Sequence, residues 1–174
     1  MSPSLLIPAF FALAYPLALV AAAVSDFRSM TIPNRLTLAL AVAFVPVAVM
    51  VQLPLAAWGI HLGLGLAGLV LGMTLFALRF MGGGDAKLIA AASLWLGFEG
   101  WLAMLIYTAL AGGALTLGLL LARKAFAPYA AGLPGVIGRH LEEKGDIPYG
   151  IAICVGGLLA MTQSDLLPLF GLHI

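Results

Sequence analysis

The stretch Gly82-Gly83-Gly84-Asp85-Ala86-Lys87-Leu88-Ile89-Ala90-Ala91-Ala92-Ser93-Leu94-Trp95-Leu96-Gly97-Phe98-Glu99-Gly100 decides how this chain must be drawn. A glycine run opens a short apolar segment, and a second turn, at Gly97, Phe98, Glu99 and Gly100, closes it. At about 1.5 Å of rise per residue, the segment from Ala86 to Gly97 covers only part of the roughly 30 Å hydrocarbon layer of a membrane. If it is a span of its own the chain crosses a bilayer six times; if it merges with the next apolar segment, five.

The composition around it makes a membrane the only reasonable solvent. Of 174 residues, 63% are hydrophobic and 9% charged, and the mean hydropathy is +1.14. Ordinary soluble domains carry about 25% charge and about 45–50% apolar residues. Eight basic residues against seven acidic ones leave no electrostatic footprint for nucleic acid. The single cysteine, Cys154, rules out a disulfide framework and a thiolate zinc cluster.

Six segments are apolar enough to span, with boundaries good to a few residues: Leu5 to Ser25, Leu36 to Gln52, Ala57 to Leu78, Ala86 to Gly97, Trp101 to Leu121 and Tyr149 to Thr162. Six spans put Arg28 and Arg35 in the first loop, Arg79 and Lys87 in the third, and Arg123, Lys124, Arg139 and Lys144 in the fifth. Every basic residue then falls on one side, which the positive-inside rule makes cytoplasmic. Glu99, Asp165 and both termini fall on the other. Five spans would move the basic residues of the fifth loop outside, so six is the better count. The expected architecture is an all-α polytopic membrane protein with about six transmembrane helices and both termini on the non-cytoplasmic side. The fourth span is short enough that its outer end should thin the bilayer or open to water. The first is not a cleavable signal, because no basic residue precedes Arg28 and the apolar stretch is too long.

Asp26 sits where the first span meets the cytoplasm and Asp85 where the fourth begins, so both reach one membrane face. Two carboxylates at one depth on different helices suit an aspartyl hydrolase: like charges close together cannot both ionise, so one activates water while the other keeps a proton. Each also has a plain alternative, Asp85 as a helix cap and Asp26 as a partner of Arg28. The glycines before Asp85 free the backbone for close approach to an extended strand. A phosphate-cradling loop is disfavoured, since no Gly-Lys-Ser/Thr ending is present. Asp146, Ile147, Pro148, Tyr149 and Gly150 start the sixth helix, with Asp146 its expected cap.

The runs Asp26-Phe27-Arg28-Ser29-Met30-Thr31-Ile32-Pro33-Asn34-Arg35-Leu36, Gly82-Gly83-Gly84-Asp85-Ala86-Lys87-Leu88 and Ile147-Pro148-Tyr149-Gly150 resemble, in that order along six spans, the type IV prepilin peptidases, a family of membrane aspartyl proteases. Gly82, Gly84 and Asp85 meet that family's Gly-x-Gly-Asp signature. The resemblance implies that Asp26 and Asp85 are the catalytic pair, cutting the short basic leader of a prepilin after a glycine at the cytoplasmic face of the inner membrane. It implies no cofactor and no metal. Gly82, Gly83, Gly84, Lys87, Pro148, Tyr149 and Gly150 are the residues expected to hold the leader. The chain looks like the short Tad/Cpa-pathway enzymes that serve Flp-type pilins: one membrane-embedded domain over 1–174, without the cysteine-bearing methyltransferase domain of longer members. Asn34 departs from many long members, which have an aspartate there. The expected partners are the precursor and the lipid bilayer; the oligomeric state is not legible. A small proton- or cation-coupled transporter would use the same carboxylates, although such sites usually lie at mid-membrane on broken helices.

Gly59 with Gly63, and Gly68 with Gly72, are small-residue pairs suited to close helix packing. His61, His140 and His173 share no helical face, which makes a metal site improbable. Leu133, Val136, Ile137 and Leu141 are spaced for an amphipathic stretch on the inner leaflet or for a solvated loop.

Overall fold

A computed structural model describes residues 13–126, 135–142 and 145–166. All regular structure among them is helical: α1 Ala14–Ser29, α2 Asn34–Met50, α3 Leu55–Ala77, α4 Gly83–Ser93, α5 Gly97–Phe126, α6 Gly135–Leu141 and α7 Tyr149–Ala160, followed by a 3-10 turn at Met161–Gln163. Residues 5–12 of the first expected span, Leu133, Lys144, His173 and both termini lie outside the described residues.

The helix ends follow from local chemistry. α1 stops at Met30, which adopts the left-handed conformation (φ 54°) and donates its N–H to the Asp26 carbonyl at 2.7 Å. The turn is fastened by Ser25 Oγ on the Thr31 carbonyl and Ser29 Oγ on the Ser25 carbonyl, each 2.8 Å. Pro33, Pro54 and Pro148 precede α2, α3 and α7, where a fixed φ favours entry and a missing N–H costs nothing. Pro148 stands at the N-cap of α7 and no side chain caps it, so the expected cap by Asp146 does not form.

α4 is the axle of the bundle. It packs on α3, α2, α7 and α1, and α7 in turn packs on α5 and α1. Asp85, Ala86, Leu88, Ile89, Ala91, Ala92 and Ser93 are all buried, so α4 is covered on nearly every side. Small residues allow this. A side chain at Gly65, Gly68 or Gly72 of α3 would collide with Leu94, Ser93 or Ala86. Gly59 and Gly63 have open space where a Cβ would go, so of the two expected pairs only Gly68 and Gly72 pack against a neighbour.

The far end of α4 is closed by protein and does not open to water. The turn falls at Leu94, Trp95 and Leu96, and Phe98, Glu99 and Gly100 already belong to α5. Gly97 has φ 70°, and a Cβ there would strike the Asp165 carboxylate. The Trp95 carbonyl accepts from Ser164 Oγ at 2.7 Å and the Leu96 carbonyl from the Asp165 N–H at 3.2 Å. The residues after α7 therefore satisfy the orphan carbonyls that a short helix leaves. Trp95 also reaches back, its Nε1 donating to the Leu40 carbonyl at 3.1 Å, within a core that includes Tyr15, Leu19, Phe44 and Leu88.

α3 and α5 are long and apolar enough to cross a membrane. Large apolar side chains such as Leu17, Leu38, Leu66, Val70 and Leu110 point outward while glycine, alanine and serine fill the helix contacts. That distribution, apolar outside as well as inside, is one that water penalises and lipid does not.

Candidate active site

Asp26 lies on the last turn of α1 and Asp85 on the first turn of α4, just beyond the apolar segments ending at Ser25 and starting at Ala86. Both are buried. They stand together between two cavities. The larger, of about 500 Å³, is lined by both carboxylates and by Met30, Phe76, Arg79, Phe80, Met81, Gly82, Gly145, Asp146, Ile147 and Tyr149. The smaller, of about 240 Å³, lies behind the glycine run and adds Thr31, Ile32, Asn34, Gly83 and Gly84.

The two acids have different surroundings. Asp26 Oδ2 accepts the Gly150 N–H at 2.8 Å, and among the described residues it makes no ion pair with Arg28. This bond needs glycine: a Cβ at Gly150 would come within 2.9 Å of Asp26 Oδ2. Asp85 Oδ2 accepts the Gly82 N–H at 3.0 Å, so this acid does secure its own helix start. Its Oδ1 is buried without a partner among the described residues, which capping alone does not explain.

Electrostatics separates them further. Burial raises Asp26 above the ordinary carboxylate range, opposed by the Gly150 N–H and by the proximity of His140. Burial first, and the neighbouring Asp26 charge second, push Asp85 up to about 7, with the Gly82 N–H acting against them. Both are raised, and Asp85 is the member more disposed to keep its proton.

Of the other expected residues, Gly82, Gly83 and Gly84 border the smaller cavity and Tyr149 the larger. Gly150 touches Asp26 directly, while Pro148 is a buried helix start that lines neither. Lys87 is turned away: its Nζ donates to Asn34 Oδ1 at 2.9 Å and it borders a separate apolar groove of about 560 Å³ between α2, α3 and α4. His61 is a satisfied core residue, Nδ1 lying 2.7 Å from the Leu94 carbonyl, and Cys154 is a buried free thiol. The amphipathic stretch is an ordered helix from Gly135, yet its inward residues are Gly138 and His140 while Ile137 is exposed. His140 meets Phe27, the neighbour of Asp26, across 113 residues of sequence, and nothing local announces that contact. Arg79, Phe76, Phe80 and Asp146 likewise reach the larger cavity through tertiary structure alone.

Two carboxyl groups of unequal acidity facing common cavities at the end of a helical bundle are a constellation for acid–base hydrolysis. The type IV leader peptidase family matches over residues 13–117, more than half of the chain and inclusive of both aspartates, and the chain belongs to that family. Membership makes it a peptidase of the leader-peptidase kind. No curated protein and no solved structure matches it.

Proposed function

We propose that the chain is a prepilin leader peptidase, an aspartic endopeptidase that removes the short basic leader of a Flp-type precursor after a glycine. Asp26 and Asp85 are its acid–base pair. The observation that carries this reading is the unequal environment of two carboxyls on shared cavities: a backbone N–H on Asp26, and on Asp85 a buried oxygen without a partner among the described residues.

Ionised Asp26 takes a proton from water, whose oxygen attacks the scissile carbonyl carbon. Protonated Asp85 gives its proton to the carbonyl oxygen as the tetrahedral intermediate forms. On collapse the C–N bond breaks, Asp26 passes its proton to the departing amine, and Asp85 recovers one from the intermediate's hydroxyl. Every proton is returned, so no cofactor is needed. The leader lies extended along Gly82, Gly83, Gly84 and Tyr149, and Asp146 on the same wall offers its basic residues a counter-charge. The chain is multi-pass in the inner membrane, with six spans, both termini outside and the pair at the cytoplasmic face. The eight basic residues support that orientation. A cation-coupled transporter would need the same carboxylates, and family membership favours the protease.

Co-expression with pilin-like precursors tests this: cleavage by the wild type that is lost in Asp26→Asn and in Asp85→Asn supports the pair. Inhibition by a chelator, or cleavage by either variant at the wild-type rate, would overturn it.

A further inference from the structure

The acid–base chemistry leaves one cluster of buried basic groups unused. His140 on α6 is 5% exposed, and its Nε2 lies 2.8 Å from the Phe27 carbonyl. A carbonyl can only accept, so Nε2 carries a hydrogen. The ring stacks on the Phe27 ring, centroids 4.7 Å apart. Nδ1 is buried and has no partner among the described residues.

What holds His140 there is equally specific. Arg123, buried in the last turn of α5, donates from Nε to the His140 carbonyl at 2.8 Å and from a terminal nitrogen to the Asp146 carbonyl at 2.9 Å. A rigid guanidinium fork spent on two backbone carbonyls fastens α5, α6 and the approach to α7 at one point. Arg139 adds a tie to the Arg28 carbonyl at 3.3 Å. The end of α1 is therefore clasped from both sides, His140 on Phe27 and the Gly150 N–H on Asp26. Arg123 and His140 lie beyond residues 13–117, over which the family matches.

We propose that His140 is a positioning residue for Asp26: strapped over the end of α1 by Arg123, it holds the Phe27 carbonyl and so fixes the backbone from which the Asp26 carboxyl projects. The inference rests on the peptidase reading above.

The test uses the full chain in lipid nanodiscs. In cleavage assays, His140→Phe keeps the stacking and loses the donor, and should lower kcat roughly ten- to a hundredfold with KM changed by less than about twofold. His140→Gln keeps a donor for the Phe27 carbonyl and should recover most of that rate. A phenylalanine variant with the wild-type kcat overturns the proposal, as does a glutamine variant below about a tenth of it, and the second result is decisive if the phenylalanine variant fails to fold. Loss of cleavage in Asp26→Asn together with a wild-type kcat in His140→Phe refutes this inference alone. Continued cleavage by Asp26→Asn refutes the peptidase reading.

Discussion

Among the described residues Asp85 keeps a buried oxygen without a partner while its own helix start is already secured by the other oxygen. Burial and the neighbouring Asp26 charge outweigh the Gly82 N–H and favour the protonated form, and the sign can be carried into stability. A carboxyl raised from 3.8 to about 7 in the fold contributes stability below its unfolded value, and loses it as pH rises toward 7. Asp85→Asn should therefore abolish cleavage and yet raise Tm at pH 8, on the order of 1 kcal/mol or a few degrees, with the gain vanishing near pH 4. Thermal unfolding in nanodiscs at the two pH values checks it. For catalysis the same shifts give a bell: an acid limb where the pair takes up its second proton and an alkaline limb near 7 where it loses its last. Gly150→Ala should lower kcat by about tenfold or more, since the new methyl group would press on both the Cβ and the carboxylate of Asp26. Both aspartates stand out in the sequence as candidates because carboxylates at the edge of a membrane are costly and few. Which of them keeps the proton was not legible, since it depends on burial and on a Gly150 N–H that only tertiary structure aims.

At the scale of elements, α4 can be short because other helices cover it and the residues after α7 close its far end. Helix spacing found Gly68 and Gly72 but added Gly59 and Gly63 and passed over Gly65. A spacing names a face; it does not say which neighbour covers that face. Gly72→Val, directed at the Ala86 backbone, should cost about 1–3 kcal/mol and displace the start of α4 with Asp85 on it. Gly63→Val should cost far less, and denaturation of the two variants side by side measures the difference. Lys87 shows the same limit at the start of α4: two residues from Asp85 in sequence, it points to Asn34 and a different groove.

For the whole molecule, the topology was read from where eight basic residues could stand together, a constraint that acts over the entire chain and needs no contact information. The contacts that assemble the site were invisible by the same reasoning, because Gly150 meets Asp26 and His140 meets Phe27 across more than a hundred residues. Replacing the single buried Cys154 by alanine provides a background for cysteine mapping. Single cysteines at Arg28, Arg79 and Lys124 should be labelled from the cytoplasmic side only, and one at Glu99 from the outside only. The central claim, that two unequal carboxyls at one end of this bundle cut a leader, is tested most directly by one comparison. The chain is co-expressed with a pilin-like precursor as wild type, Asp26→Asn and Asp85→Asn, and precursor size is read on a gel. A leader-sized shift with the wild type that disappears in both variants is the expected result, and a shift that persists in either would contradict it.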